Sequence, residues 1–326
     1  MHAPVVVLGG GPGGYAAAFM AADQGLDVTL VEMESRLGGT CLLRGCIPSK
    51  ALLHVANVMS EVEELTSDWG VSYSDPAIDI DKVRARKDKV ISTLSGGLGQ
   101  LAKRRKVKVI TARGTFENST TLLLEGEHDS IPEGGKLTFD KCILATGSSP
   151  AMPGPWRLDS DRVMDSTGAL ALTDIPETML VIGGGYIGLE MGTVYANLGT
   201  EVSVVEFADG LVPMADRDII KPLRKKLDEL FGERIYTNTK VGSLTLADDQ
   251  VEVTFEGPAL FDTRRYDRVL VSVGRRPNSQ NLGLENTQVQ VTDRGFVECD
   301  ARQQTCLLYT SPSPRDRTKS PMPSSA

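Results

Sequence analysis

Two pairs of short apolar runs repeat along the chain, at residues 5–8 with 28–31 and at 179–182 with 202–205. The first run of each pair reads as a strand, the one at 5–8 being β-branched. A helical stretch follows (15–24 in the first copy, through Asn197 in the second), then Gly25 or Gly199, then a second strand that stops on Glu32 or Glu206. Between the copies, Leu53, Ala56, Met59 and Val62 recur at every third position, and Leu52 and Val55 widen the stripe, which predicts a helix running on from Lys50. Val83, Val90, Leu94, Leu98 and Leu101 predict a second long helix with lysines and arginines on its outer face. Residues 120–139 alternate turns with short strands, as a small sheet would. Residues 148–155, with Pro150, Pro153 and Pro155, mark a crossing between domains, and a second crossing falls near Pro277. Strands alternating with helices predict an α/β protein built on parallel sheets.

Length and composition narrow this picture. At 326 residues the chain is long enough for two domains, each with its own core. With 40% hydrophobic and 24% charged residues, and no apolar run of membrane length, it reads as a soluble, cytoplasmic protein without a membrane partner. No charged segment leads into an apolar one at the start, so no secretion signal is expected. The net charge of -8 argues against nucleic acid, and the basic run over 103–108 reads as a solvated face. Five cysteines in such a chain do not make a disulfide scaffold, so a close pair points to catalysis or metal binding.

The glycines between strand and helix carry the first chemistry. Gly9, Gly11 and Gly14 match GxGxxG, and Gly183, Gly185 and Gly188 match it again. In this motif one glycine makes the tight turn, one lets backbone approach a pyrophosphate, and one lets helix pack on strand. The helix N-terminus offers amides and the positive end of its dipole to phosphate. Glu32 and Glu206 each lie 21 residues after the middle glycine, placed to accept hydrogen bonds from ribose hydroxyls. An acid there repels a 2′-phosphate, which favours NAD over NADP. Two fingerprints imply two dinucleotides, one held as a prosthetic group and one exchanged.

Cys41 and Cys46 lie in GGTCLLRGCIPSK, residues 38–50. In one regular helix, positions five apart are separated by about 7.5 Å along the axis, beyond the roughly 4.4–6.8 Å Cα spacing of a disulfide. A bridge therefore needs a non-helical stretch, for which Gly38, Gly39 and Gly45 leave backbone freedom, with Pro48 suited to a first helical turn. Cys46 near a helix N-terminus is placed to favour the thiolate. Two other readings stand beside this one: a pair of buried packing thiols, or half of a zinc site. The zinc reading has a poor ligand set, since no second pair exists and the only histidines are His2, His54 and His128. No metal site is expected. Cys142, in the apolar run 142–145, reads as core.

The run GGTCLLRGCIPSKALLH, the two fingerprints, LATGSSP and VGRRPN together resemble the flavin-dependent pyridine nucleotide-disulfide oxidoreductases, over residues 4 to about 305. The form IPSKALLH is more similar to the branch that oxidises dihydrolipoyl groups than to the glutathione- or mercuric-reducing branches. The resemblance implies two Rossmann-like domains, three-layered and parallel-sheet based. An FAD domain covers 1–149 with the redox disulfide, an NAD domain 150–275, and a return segment of the FAD domain 276–305. It implies FAD on the first fingerprint with Glu32, and further FAD contacts at Thr40, Lys50, Gly114, Thr115, Thr146 and Gly147. Cys41 is then the interchange thiol that meets substrate, and Cys46 the thiol that faces flavin. Lys50 pairs with Glu190. NAD lies on the second fingerprint with Glu206 and Gly274, and Tyr186 is placed to cover the nicotinamide site. Arg275 and Arg276 could equally be loop charges. The implied reaction takes dihydrolipoamide and NAD+ to lipoamide and NADH, serving a lipoyl carrier domain of a 2-oxo acid dehydrogenase complex, in a homodimer.

After Thr305 the pattern breaks. The family's next segment, its C-terminal dimerisation domain and the histidine-glutamate dyad carried there are absent, so no acid-base histidine is assigned. Residues 306–326 instead resemble translated sequencing adapter. The expectation is a truncated, inactive enzyme with a non-native tail.

Overall fold

The computed structural model describes residues 1–74, 76–258 and 262–306. The tail expected over 306–326 thus lies, apart from Cys306, outside the described residues. The chain packs into two compact units: 1–35, 102–147 and 277 onward form the first, and 36–101 with 148–276 form the second. Chain order predicts that 36–101 belongs with the first fingerprint; by packing it sits with the second.

In the first unit a six-stranded sheet runs β3-β2-β1-β6-β5-β4, with β1 (His2–Leu8), β2 (Val28–Glu32), β3 (Lys108–Thr111), β4 (Arg113–Asn118), β5 (Thr121–Glu125) and β6 (Lys136–Leu144). The four strands β3, β2, β1 and β6 pair in parallel, while β5 and β4 continue the sheet antiparallel. The separate small sheet expected over 120–139 is therefore the antiparallel edge of this larger one. Backbone hydrogen bonds from β6 recruit it, a pairing that local alternation does not reveal. Helix α1 (Pro12–Asp23) links β1 to β2. Val6, Leu8, Val31, Ile110, Phe116, Leu122 and Leu137 form the core on one face.

The second unit begins with α2 (Gly39–Arg44) and α3 (Cys46–Asp68), followed by α4 (Ile80–Arg104), the second long helix, whose last turn passes into the first unit. Short β7 (Ser148–Pro150), β8 (Val163–Met164) and α5 (Ser166–Ala171) precede β9 (Thr178–Ile182), α6 (Tyr186–Asn197), β10 (Glu201–Val205), α7 (Arg217–Phe231) and β11 (Ile235–Tyr236). Then come β12 (Lys240–Ala247), β13 (Gln250–Glu256), β14 (Thr263–Tyr266), β15 (Arg268–Val271) and β16 (Arg275–Pro277). An all-parallel sheet runs β11-β10-β9-β15-β8, and β12, β13 and β14 make a separate antiparallel sheet that the sequence pattern does not suggest. Alternate residues of the parallel strands serve two cores. Met179, Val181, Val202, Val204 and Leu270 pack with helical residues such as Leu52, Leu189 and Tyr195. Leu180, Ile182, Val205, Val269 and Val271 pack on Val241, Val253 and Phe255 of the antiparallel sheet. Burial of both faces is why these strands read as continuous apolar runs.

Candidate functional site

The same hydrogen-bonded frame occurs at both fingerprints. Gly9 N–H donates to Val31 O at 2.8 Å and Gly183 N–H to Val205 O at 2.8 Å. Ala145 N–H donates to Leu8 O and Ser272 N–H to Ile182 O, each at 2.8 Å. These bonds fix each glycine turn where its first strand ends, between two parallel neighbours, the switch point at which doubly wound sheets bind ligands. Gly9 (φ +107°) and Gly183 (φ +108°) lie where L side chains are strained. A Cβ on them would stand 2.3 Å from Ala145 O and 2.6 Å from Ser272 O. The third glycines are as crowded: a Cβ at Gly14 would meet Gly9 O at 1.7 Å, and at Gly188 would meet Gly183 O at 2.4 Å. At Gly185, by contrast, a Cβ would find nothing within 4 Å. The protein's own packing does not need that glycine.

Both acids are tied into these turns. Glu32 Oε2 accepts from Gly10 N–H at 2.5 Å and Oε1 from Glu34 N–H at 2.9 Å. Glu206 Oε2 accepts from Gly184 N–H at 2.6 Å and Oε1 from Ala208 N–H at 2.8 Å. Each oxygen keeps lone-pair capacity for a further donor. Helices α1 and α6 start at Gly11 and Gly185 with no side-chain cap and no acid in the first turn, so no side chain of the cap satisfies their leading amides. Tyr186 opens α6 and is 64% exposed.

The LATGSSP loop is anchored by Asn278, the last residue of VGRRPN, to which the sequence assigns no role. Thr146 Oγ1 donates to Asn278 O at 2.8 Å, Asn278 Nδ2 to Thr146 O at 2.9 Å, and Asn278 N–H to Gly147 O at 2.9 Å. Gly114, in β4 beside Thr115, leaves room for Leu8, whose Cδ1 would stand 2.8 Å from a Cβ there. In the second unit, Ser272 Oγ donates to Ile182 O and Gly183 O. Gly274 (φ +123°) has open space around it. Arg275 is half-buried and bonds both Ser148 Oγ and Ser148 O, so it fastens the crossing rather than standing as a loop charge.

The dithiol segment is broken where a bridge requires. Cys41 lies in α2 and Cys46 is the first residue of α3, which starts four residues earlier than the periodicity from Lys50 predicts. Gly45 separates the helices; a Cβ there would stand 2.8 Å from Thr40 O, so only glycine permits this approach. Both cysteines are free thiols, Cys41 half-buried and Cys46 exposed. Partial burial pushes the Cys41 thiol up, helped by its hydrogen bond with Cys46 and that sulfur's charge; the Cys46 amide and Lys50 act in the other direction. Lys50, one turn along α3, places Nζ 2.6 Å from Glu190 Oε1 on α6. That hydrogen bond raises the lysine's pKa against a small burial penalty. Among the described residues no cluster of metal-binding side chains exists.

A glycine-dinucleotide frame occurring twice with a CxxxxC dithiol narrows the family, and comparison decides it. Residues 3–308 match the family model described as pyridine nucleotide-disulphide oxidoreductase. The chain belongs to this family. Dihydrolipoyl dehydrogenase of Haemophilus influenzae is 46% identical over 301 residues, covering 92% of this chain and 62% of the relative. The enzyme of the same name from Vibrio cholerae is 44% identical over 306 residues, covering 94% and 63%. The copper(II) complex of the HOCl-induced flavoprotein disulfide reductase RclA from Escherichia coli superposes with a TM-score of 0.79 at 29% identity, covering 94% of this chain and 64% of that one. The chain thus spans somewhat under two thirds of the length of these relatives. Members of the family depend on FAD and NAD(P). No helix among the described residues is long and apolar enough to cross a membrane.

Proposed function

We propose that this chain carries the nucleotide-binding and dithiol parts of a dihydrolipoyl dehydrogenase, oxidising dihydrolipoamide with NAD+. The observation that carries this reading is the Cys41 and Cys46 dithiol across a helix break, with the Lys50–Glu190 pair one turn away, in a chain that builds the same acid-clamped glycine turn twice. The uncapped helix starts and the open space at Gly185 fit dinucleotide pyrophosphates. FAD would be held by Gly9, Gly11, Gly14 and Glu32, with Gly114, Thr115, Thr146, Gly147, Thr40 and Lys50. NAD would be held by Gly183, Gly185, Gly188, Glu206 and Gly274, with Tyr186 as a displaceable cover. The domains in this reading are 1–149 with 276–305 for FAD and 150–275 for NAD, although 36–101 packs into the same unit as 148–276. When bound, FAD supplies two-electron transfer between thiols and a nicotinamide.

The chain's own residues perform thiol-disulfide exchange. A substrate thiolate attacks Cys41 Sγ of the oxidised pair, breaking the Cys41–Cys46 bond and releasing the Cys46 thiolate. The second substrate thiol then attacks its partner sulfur in the mixed disulfide, which frees Cys41 and leaves the substrate as a cyclic disulfide, oxidised by two electrons. Partial burial holds the Cys41 thiol above its ordinary pKa. Lys50, held charged by Glu190, balances negative charge beside the thiols. The partners consistent with this reading are a lipoyl carrier domain of a 2-oxo acid dehydrogenase complex and a second copy of the chain, in the cytoplasm. The test is NADH formation from dihydrolipoamide by the flavin-loaded full-length protein. Bound FAD without dihydrolipoamide turnover, but with reduction of glutathione disulfide or mercuric ion, would move the protein to a sister branch.

A further inference from the structure

Helix α4 does not bury the stripe that its sequence suggests. Along its covered face lie Lys87, Ile91 and Ser95, one turn apart, while Leu94 and Leu101 stay exposed. A helix needed only for packing would turn its leucines inward and leave a lysine and a serine in water, because burying a polar group is unfavourable unless it is bonded. Both polar groups here are buried, Lys87 at 7% and Ser95 at 4% exposure, and each meets a backbone carbonyl. Lys87 Nζ donates to Leu170 O at 2.8 Å, and Ser95 Oγ donates to Leu37 O at 2.7 Å. Those carbonyls belong to the two segments beside the helix of the first cysteine. Leu170 lies in α5, which packs on α2. Leu37, itself buried, comes just before Gly38 and Gly39, where α2 begins.

We propose that Ser95 is a positioning residue for the dithiol, fixing through Leu37 the entry into α2 and so the distance between Cys41 and Cys46. This rests on the reading above of the two cysteines as the redox pair. The entry needs a hold from outside. Gly38 (φ +137°) and Gly39 (φ +55°) both lie in the left-handed region, and glycine is free to leave it for other conformations. Helix α2 has only 6 residues, and its start carries no side-chain cap, so its own order is weak. Cys46, by contrast, opens the 23-residue α3, where Ser49 Oγ donates to Cys46 O at 3.2 Å. Freedom at the glycine pair therefore falls on the Cys41 side of the hydrogen bond between the two sulfurs. Removing the Ser95 hydroxyl lets Cys41 move relative to Cys46. Sulfurs that spend more time apart bridge less readily, so the oxidised pair becomes easier to reduce.

The test equilibrates the flavin-loaded full-length protein, without air, against set ratios of reduced and oxidised dithiothreitol. In that exchange dithiothreitol closes to its cyclic disulfide, giving up two electrons and two protons, as the Cys41–Cys46 bond opens to two thiols. Acid quenching and alkylation then count the free thiols in the peptide that carries both cysteines. Ser95→Ala is expected to raise the equilibrium constant for reduction by about tenfold, since it strips a buried carbonyl of its donor. Alanine favours helix more than serine does, so α4 itself is not weakened. Ser95→Thr, which keeps the hydroxyl, should stay within about twofold of the parent. Ile91→Val, on the same buried face, is the structural control: it should lower the melting temperature and leave the constant within about twofold. A constant unchanged in Ser95→Ala, or one raised as much in Ile91→Val, overturns the positioning role. A parent whose Cys41 and Cys46 never bridge overturns the redox reading itself, and the proposal with it.

Discussion

The two fingerprint regions share the backbone bonds that frame Gly9 and Gly183 and differ at two positions in the turn, Pro12 and Gly13 in the first against Tyr186 and Ile187 in the second. Where the first has Pro12 opening α1, the second has Tyr186 opening α6. Pro12 and Gly13 leave the first turn bare, with a fixed φ suited to a helix start. Tyr186 places an exposed ring at the corresponding point. The anchors differ too: Gly183 and Ile182 carbonyls accept from the Ser272 hydroxyl, whereas Ala145, which has no such donor, stands opposite Gly9. One backbone solution thus carries two different sets of side chains at the same place.

The comparison can be broken most severely where it has no counterpart, at the dithiol. Cys46→Ser should lower dihydrolipoamide turnover by roughly three orders of magnitude or more, with both nucleotide affinities retained in binding titrations. Retained turnover would remove the pair from the chemistry. Next come the third glycines, whose Cβ would meet backbone rather than a yielding side chain. Gly14→Ala should cost about 3 kcal/mol or more and Gly188→Ala slightly less, the first losing flavin on gel filtration, the second keeping flavin but losing NADH binding. Equal loss of flavin in both would show that the two frames are not independent.

Exchange of either clamp acid is smaller. Glu32→Gln or Glu206→Gln replaces one acceptor oxygen with a donor and leaves a loop amide unpaired, a cost of about 1–3 kcal/mol, readable as a lower melting temperature. The Lys50–Glu190 pair is weakest for stability, because Lys50 remains 60% exposed and solvent screens it; Glu190→Gln should cost under about 1 kcal/mol. Since the folded lysine's pKa is raised by its hydrogen bond to Glu190, the pair's contribution is complete below the ordinary lysine value of 10.5 and fades as pH rises through the folded value. Thermal melts of parent and variant should therefore differ by a constant amount near neutral pH and converge in strong alkali; a difference that persists in strong alkali would contradict the assignment.

Much of the fold is legible in the sequence because it is local. The strands 5–8, 28–31, 179–182 and 202–205 lie inside β1, β2, β9 and β10, and the stripe through Leu52 and Ala56 faces the core as its period requires. The start of α3 falls earlier than periodicity places it because the first turn, Cys46 to Ser49, carries no apolar period; Gly45 and Pro48 are the available signals. The antiparallel edge of the first sheet reads as separate, since only its pairing with β6 joins it to the rest. Asn278, although it closes the VGRRPN run, and Ser272 have no assigned role in the sequence, because a single polar residue in a loop carries no sign of the carbonyl it will meet 132 or 90 residues away in the chain.

By itself, the sequence determined the two glycine turns, the acids that follow them, and the dithiol at a helix start, because each depends on fixed spacing within a few tens of residues and on steric or charge requirements that few residue types satisfy. Only the tertiary structure decided that both carboxylates clamp their own loops and that Lys50 meets Glu190. These depend on which strands become neighbours, and that is settled by burying both faces of the parallel sheets, a sum over many weak contacts that no single motif contains.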